Sequence, residues 1–250
     1  MTTKTVQDPN KRKMSFGAII AVVIAVILVL VFSIVAMSKK SSDSDSGWSF
    51  ANSETISGLS VEYEEDNKLG ESINFSIPEK VDGNNDHHVI DLYEEPQCPA
   101  CIQLAENFGS EINQAVKNGN TLKFHAMTFL DDRAESTYSK EVVSALISLA
   151  KNGEVEPAWK IYSTMYSNYP QAMKSDVDLA SVMRDAGASD KSIQEYTKDK
   201  DEDKFLNANN SNFSNFQVLK DVVGSAGTPT VMVDGVEYDI PNDWLEILGL

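Results

Sequence analysis

The sequence predicts an α/β domain whose core is interrupted by a block of helices and which follows a single N-terminal transmembrane helix. Three observations lead there. The first is a strand–helix–strand succession, with an apolar strand at Val89–Tyr93, helical periodicity from Pro99 to Lys117, and strand formers from Thr121 to Leu130. The second is a run of 3.6-residue periodicity through the middle of the chain, and the third is a β-hairpin signature near the C-terminus.

The elements follow in order. Phe16 to Met37 is an apolar run of 22 residues, long enough to cross a bilayer, which takes about 20 helical residues. A cleaved signal peptide is the competing reading, but Val35-Ala36-Met37-Ser38 is a poor cleavage site, so an uncleaved anchor is favoured. Lys4, Lys11, Arg12 and Lys13 precede the span and only Lys39 and Lys40 follow closely, which puts residues 1–15 in the cytoplasm and the rest outside. Residues 38–54, opening with Ser41-Ser42-Asp43-Ser44-Asp45-Ser46-Gly47, read as a flexible linker, and 55–250 as one globular domain.

Within that domain, residues 72–77 alternate and stop at Pro78, as an edge strand does. Residues 81–88 and 94–97 read as loops around the 89–93 strand, and Asn118-Gly119-Asn120 ends the helix that Pro99 starts. Helices are expected at 134–150, 157–166 and 177–186, with Asn152-Gly153 and Gly187 as stops and Asp176 as an N-cap, and an exposed one at 189–204. The insertion therefore spans about 131–204. An apolar helix then runs to Gly224, followed by the hairpin Thr230–Val233, Asp234-Gly235, Val236–Ile240 and a short helix at 244–248.

Charge excludes some partners. The whole chain is −17, and because residues 1–40 hold six basic side chains and one acid, the exported part carries 15 basic against 37 acidic, or −22. Such a surface repels nucleic acid and anionic lipid; simple solubility explains it.

The chain has two cysteines, in Cys98-Pro99-Ala100-Cys101. Two thiols cannot make a disulfide scaffold or a four-ligand zinc site, and Ile102 in place of His excludes a haem attachment motif. At i, i+3 both sulfurs face one side of a helix. Cys98, at the start of the helix, gains from the unpaired N–H groups and dipole there, so its thiol ionises below the usual ~8.5. Cys101, one turn deeper, suits a resolving thiol. The alternative is a structural bond across one turn, which closes so short a loop that it stabilises little. Thr228–Pro229 directly precedes the hairpin: a cis bond there would expose backbone for an extended substrate, and an ordinary trans proline at a strand start is the other reading.

Val89-Ile-Asp-Leu-Tyr-Glu-Glu-Pro-Gln-Cys98-Pro-Ala-Cys101, together with Gly227-Thr-Pro-Thr-Val-Met-Val-Asp-Gly235, resembles the thioredoxin superfamily. The length and helical content between the motifs, with Tyr138-Ser-Lys, Ala158-Trp159-Lys-Ile-Tyr162 and Ala186-Gly187, are similar to the DsbA-like branch, and the likeness covers about residues 70–245. It implies a thioredoxin-like fold with an inserted helical domain. By position Cys98 corresponds to the family's nucleophile, Cys101 to its resolving cysteine, and Thr228 and Pro229 to its substrate-binding cis-proline dipeptide. Pro99 and Ala100 modulate the pair; Ala100 stands where the most oxidising members have His, which implies a milder oxidant. Asp91 lies near the family's buried acid, though seven residues before Cys98 rather than six, and is either a proton shuttle or a solvated strand-end carboxylate.

Other polar groups read as bland. Glu94 and Glu95, in the loop before Cys98, either raise its pKa by like-charge repulsion or, as favoured, are merely solvated; His87-His88 reads as a surface pair without a metal, and His125 as structural. The expectation is a membrane-anchored, extracytoplasmic and monomeric thiol–disulfide oxidoreductase without a bound cofactor. It donates a disulfide to exported polypeptides bearing free thiols, and the resemblance implies reoxidation by a membrane quinone-linked oxidase. A membrane-anchored reductase of the same fold is the alternative, and a non-catalytic envelope binding or chaperone module a further one.

Overall fold

The computed structural model describes residues 47–65, 68–81, 87–175, 177–240 and 244–250. The proposed membrane span at 16–37 and the N-cap Asp176 lie outside these residues. Among the described residues no helix is long and apolar enough to cross a membrane.

The chain builds one six-stranded sheet: β1 (Ser60–Glu64), β2 (Ser72–Ser76), β3 (Val89–Glu94), β4 (Thr121–Ala126), β5 (Thr230–Val233) and β6 (Val236–Tyr238), in the order β1-β2-β4-β3-β5-β6. Only β3 and β4 run parallel, with Ile90 opposite Leu122 and Leu92 opposite Phe124; every other pair is antiparallel. The parallel pair is the strand–helix–strand unit, joined by α2 (Pro99–Asn118). A single helical turn, α1 (Pro78–Val81), precedes β3.

Between β4 and β5 lie α3 (Asp131–Ala134), α4 (Tyr138–Lys151), α5 (Val155–Ser175), α6 (Leu179–Ala186), α7 (Asp190–Asp201) and α8 (Leu206–Val222); α9 (Trp244–Ile247) closes the chain. The thioredoxin-like core with its helical insertion is therefore present. The expected edge strand at 72–77 is not an edge: β2 is sandwiched between β1 and β4, and β1, whose Ser60-Val-Glu-Tyr-Glu sequence is too polar to signal a strand, takes the margin. The helix expected at 134–150 starts later, at Tyr138, after the separate turn of α3, and the one expected at 157–166 begins at Val155 and runs on to Ser175 through an internal Pro170. Asp178, not Asp176, caps α6, its carboxylate accepting from Ala180 N.

The strands' two-residue period sorts side chains onto two faces. Ile73, Phe75, Ile90, Leu92, Leu122 and Phe124 face one way, toward α2 and α5, where Phe75 and Phe124 meet the ring of Tyr162 with centroids 5.2 Å apart. Tyr93 and Met232 face the other way and pack against Leu219 of α8. Ser211 and Asn215 of α8 donate to the Ala126 carbonyl where β4 ends (3.2 and 3.0 Å), replacing a missing strand partner. Gly119 adopts φ 106° to end α2, and its N–H bonds back to Ala115 and Val116; a Cβ there would lie 2.9 Å from Lys80 Cβ, so position and conformation both demand glycine.

The linker expected over 38–54 ends earlier than its composition suggests. Trp48 is 2% exposed and its Nε1 donates to Thr164 Oγ1 at 3.0 Å. Ser49 exchanges hydrogen bonds with Asn168 (2.7 and 2.8 Å), and Trp159 Nε1 donates to the Glu54 carbonyl (2.9 Å). A single tryptophan, invisible to a composition argument, anchors the segment onto α5.

Candidate active site

β3 delivers the chain to the N-terminus of α2, and there the two cysteines differ. Cys98 is the N-cap residue, extended at φ −68° and ψ 120°, with Pro99 at the first helical position, where a missing N–H is harmless. Its carbonyl accepts the first helical bond from Ile102 N (3.0 Å). Both thiols are free; Cys98 is 8% exposed and Cys101, one turn in, is fully buried. Pro99 and Ala100 stand exposed at the rim.

Across from Cys98 comes the loop before β5. The Thr228–Pro229 peptide bond is cis, and Cys98 Sγ lies 3.3 Å from the Thr228 carbonyl, 130 residues away in sequence. A cleft of about 440 Å³ runs from Ala100, Leu104 and Phe108 of α2 to Pro229, Thr230 and Tyr238. The sheet thus brings together Cys98, Cys101, Thr228 and Pro229, with Pro99 and Ala100 beside them.

The environment divides the two thiols electrostatically. Cys98 is pulled down to about 5. The largest cause is a hydrogen bond from Cys101 to its thiolate. The Thr228 side chain and the N–H groups of Cys101 and Ala100 add to it, against burial, which pushes upward. Cys101 is pushed far up by burial first, then by its bond to Cys98 and the charge of Glu94. The acidity expected from the helix start is there, but a neighbouring S–H, not the helix N–H groups, is its largest cause.

Asp91 is not beneath the cysteines. It sits on the α8 face of the sheet, buried, 2.8 Å from Nε2 of the equally buried His125, whose Nδ1 reaches the Glu71 carbonyl at 3.0 Å. The His125 ring stacks on Tyr93 at 4.3 Å. The seven-residue spacing to Cys98 puts Asp91 out of phase with Ile90 and Leu92, which share the cysteines' core. Asp91→Asn, which keeps a hydrogen bond but removes the charge, is expected to lower stability by about 1–2 kcal/mol. It should leave the Cys98 titration, followed by thiolate absorbance, unchanged.

The buried acid near the pair is instead Glu94, which shares the phase of Ile90 and Leu92 and is 1% exposed. Burial pushes it up to about 8, tempered by the Tyr166 and Tyr162 hydroxyls, and Tyr162 Oη donates to its Oε2 at 3.3 Å. Glu95 is fully buried and pushed up to about 7 by burial, with Ser139 and the Gln97 N–H opposing. Ser139 Oγ donates to Glu95 Oε1 (2.5 Å), while Ser139 N donates to Asp131 Oδ1 (3.1 Å) and Gln97 Nε2 donates to both Asp131 and Ser139. Asp131 itself is raised to about 6 by burial, against the N–H groups of Lys140 and Ser139. This network ties the cysteine loop to the first helices of the insertion. The expectation that Glu94 and Glu95 are solvated is thus overturned. The missed signal was parity: Glu94 continues the inward face of a strand whose other inward residues are apolar.

His88 and His87 make local bonds, His88 Nδ1 with Asp234 Oδ2 (2.7 Å) and His87 Nε2 with Thr121 Oγ1 (3.0 Å). Among the described residues no group of three or more His, Cys, Asp or Glu is arranged to hold a metal ion.

A paired-cysteine helix start facing a cis-proline across a mixed sheet, with helices inserted after β4, defines a thioredoxin-fold protein of the kind with a helical insertion. The chain belongs to the thioredoxin family: the family model described as Thioredoxin matches residues 78–250. Its fold is similar to that of the MdbA protein of Corynebacterium diphtheriae, with a TM-score of 0.64 and 22% identity over 79% of this chain and 96% of that one. It is also similar to MdbA of Corynebacterium matruchotii, with a TM-score of 0.63 and 20% identity over 78% and 92%. In sequence it is 31% identical over 116 residues to the serine/threonine-protein kinase PknE of Mycobacterium tuberculosis, a match covering 42% of this chain. The match takes in 20% of PknE, so the chain spans about a fifth of the length of that curated relative.

Proposed function

We propose that the chain is an extracytoplasmic thiol–disulfide oxidoreductase that donates the Cys98–Cys101 disulfide to exported polypeptides. The observation that carries this is the split in acidity: Cys98 is held at about 5 while its buried partner is pushed far up. A stabilised thiolate at Cys98 favours the reduced enzyme and so makes the disulfide an oxidant. The MdbA proteins whose fold it shares are described as thiol-disulfide oxidoreductases.

In this reading a client segment lies in the cleft beside Pro229, and its thiolate attacks Cys98 Sγ. The Cys98–Cys101 bond breaks, and Cys101 leaves and is protonated. A second client thiolate then attacks the client sulfur of the mixed disulfide, and Cys98 departs as its favoured thiolate. Thr228 and Pro229 present backbone to the extended client. Residues 16–37 anchor the domain at the outer face of the membrane, and a quinone-linked membrane oxidase restores the disulfide.

Oxidised full-length protein is expected to form disulfides in a reduced, unfolded polypeptide, and Cys98→Ala to be inactive; identical behaviour of the two would overturn the assignment. Equilibration with glutathione separates donor from reductase. A potential above about −230 mV supports the donor, and one at or below the ~−270 mV of thioredoxin makes the protein a reductase.

A further inference from the structure

A disulfide donor meets many exported thiols, and the cleft beside Pro229 offers a chemical basis for choosing among them. Its floor is apolar. Leu104 and Phe108 lie one turn apart on one face of α2, opposite Tyr238 and Ile240. Tyr238 pairs with Val231, whose side chain belongs to the core that α2 covers, so its ring takes the cleft side of the sheet. The charged residues that line the cleft are Glu237 and Asp239, both exposed, and no Lys, Arg or His is among the described residues that line it. Neither carboxylate is in an ion pair among the described residues.

β6 is the margin of the sheet, and Glu237 lies opposite Met232, whose side chain takes the α8 face. Its carboxylate therefore stands at the rim of the cleft and not on the floor. Charges at such a rim act through water over about 8–10 Å, far enough to reach a segment lying in the cleft. The absence of bases is local. The whole chain has 21 basic side chains against 38 acidic ones, whereas residues 221–250 hold six acidic residues and no Lys, Arg or His. Along α2 the one basic residue is Lys117, in its last turn. Solubility calls for net charge with both signs interspersed, not for two walls of one cleft without a base.

We propose that the cleft selects exported clients that carry a basic side chain within a few residues of the reacting cysteine, with Glu237 and Asp239 as the groups that recognise it. The proposal rests on the oxidoreductase reading and adds the class of client. The client cysteine meets Cys98, an apolar neighbour lies on Leu104, Phe108 and Tyr238, and a Lys or Arg comes to the acidic rim. A client with an acid in that place is repelled.

Three single-cysteine peptides, identical but for Lys, Gln or Glu two residues after the cysteine, test this with oxidised full-length protein at about 20 mM salt. The rate of mixed-disulfide formation is divided by the same peptide's rate with an uncharged small disulfide, which removes differences in thiol reactivity. The wild type is expected to favour the Lys peptide over the Glu peptide by roughly tenfold, the effect of two charges acting across water. Glu237→Gln with Asp239→Asn should reduce that preference to about twofold or less, and about 0.5 M salt should do the same to the wild type. Glu237→Lys with Asp239→Lys should reverse it. Asp201→Asn with Glu202→Gln, which removes the same charge at the end of α7, should leave the preference at its wild-type value. No preference in the wild type, or one that survives in the rim amides, would overturn the role of the rim. So would one that the α7 pair lowers as much as the rim pair, which would assign it to net charge. A wild-type protein that forms no mixed disulfide with any of the peptides would overturn the oxidoreductase reading instead.

Discussion

Reducing the Cys98–Cys101 disulfide is expected to stabilise the folded protein at neutral and alkaline pH and to destabilise it near pH 5. Two opposing effects set the crossing point. The folded Cys98 thiol titrates at about 5, below its unfolded value of ~8.5. Its contribution is therefore complete above ~8.5 and is lost as pH falls through 5; at pH 7 it is about 3 kcal/mol. Oxidation removes that contribution and adds a cross-link over a four-residue loop. In the chain-entropy treatment such a link contributes about 2 kcal/mol.

The thiolate therefore wins at pH 7 by about 1 kcal/mol, and the two forms should be equally stable between about pH 6 and pH 7. Thermal unfolding of both forms across pH checks this, since about 1 kcal/mol shifts Tm by roughly 2–4 °C in a domain of this size. An oxidised form that is the more stable at pH 8 would remove the thermodynamic basis for disulfide donation. Cys101→Ala should move the Cys98 titration upward, because the Cys101 hydrogen bond is the largest cause of its acidity.

Trp48→Ala is expected to lower stability by about 3–5 kcal/mol, the range for emptying a buried aromatic site. The ring is 2% exposed, stacks on Tyr138 with centroids 6.4 Å apart, and bonds Thr164 through its Nε1. Thr164 also donates to the Lys160 carbonyl (2.6 Å), so its hydroxyl keeps a partner in the variant and the loss is chiefly packing. Trp48→Phe, which retains much of the apolar area, should lose about 1–2 kcal/mol. Denaturant unfolding of the full-length protein measures both, and a loss under about 1 kcal/mol for Trp48→Ala would return residues 47–54 to the status of a tether.

Much of the site was legible in the chain because its signals are local. Pro99 behind Cys98 at a helix start, Gly119 at its end, and the tight Asp234-Gly235 turn each encode a backbone conformation within a few residues, while the cis form of Thr228-Pro229 came from the family resemblance rather than from its neighbours. The strand–helix–strand unit and the helices of the insertion were readable for the same reason, since periodicity is a property of short windows. The failures were equally systematic. β1 was missed because an edge strand buries too little to look apolar, and Trp48 because one anchoring ring does not alter the composition of a Ser/Asp-rich stretch.

The sequence alone carried the identity of the reacting pair, its place at the start of a helix, and the proline that faces it, all matters of residue type and neighbouring backbone. Which acid lies near the pair, and what makes Cys98 acidic, were settled by packing across long separations. The side-chain phase of β3 turns Asp91 to His125 and Glu94 inward to Tyr162 on α5, 68 residues away. The loop before β5 brings Thr228 to Cys98 from 130 residues off. Burial and hydrogen bonding, not residue type, set a carboxyl's or a thiol's proton affinity, and those exist only once the chain has folded.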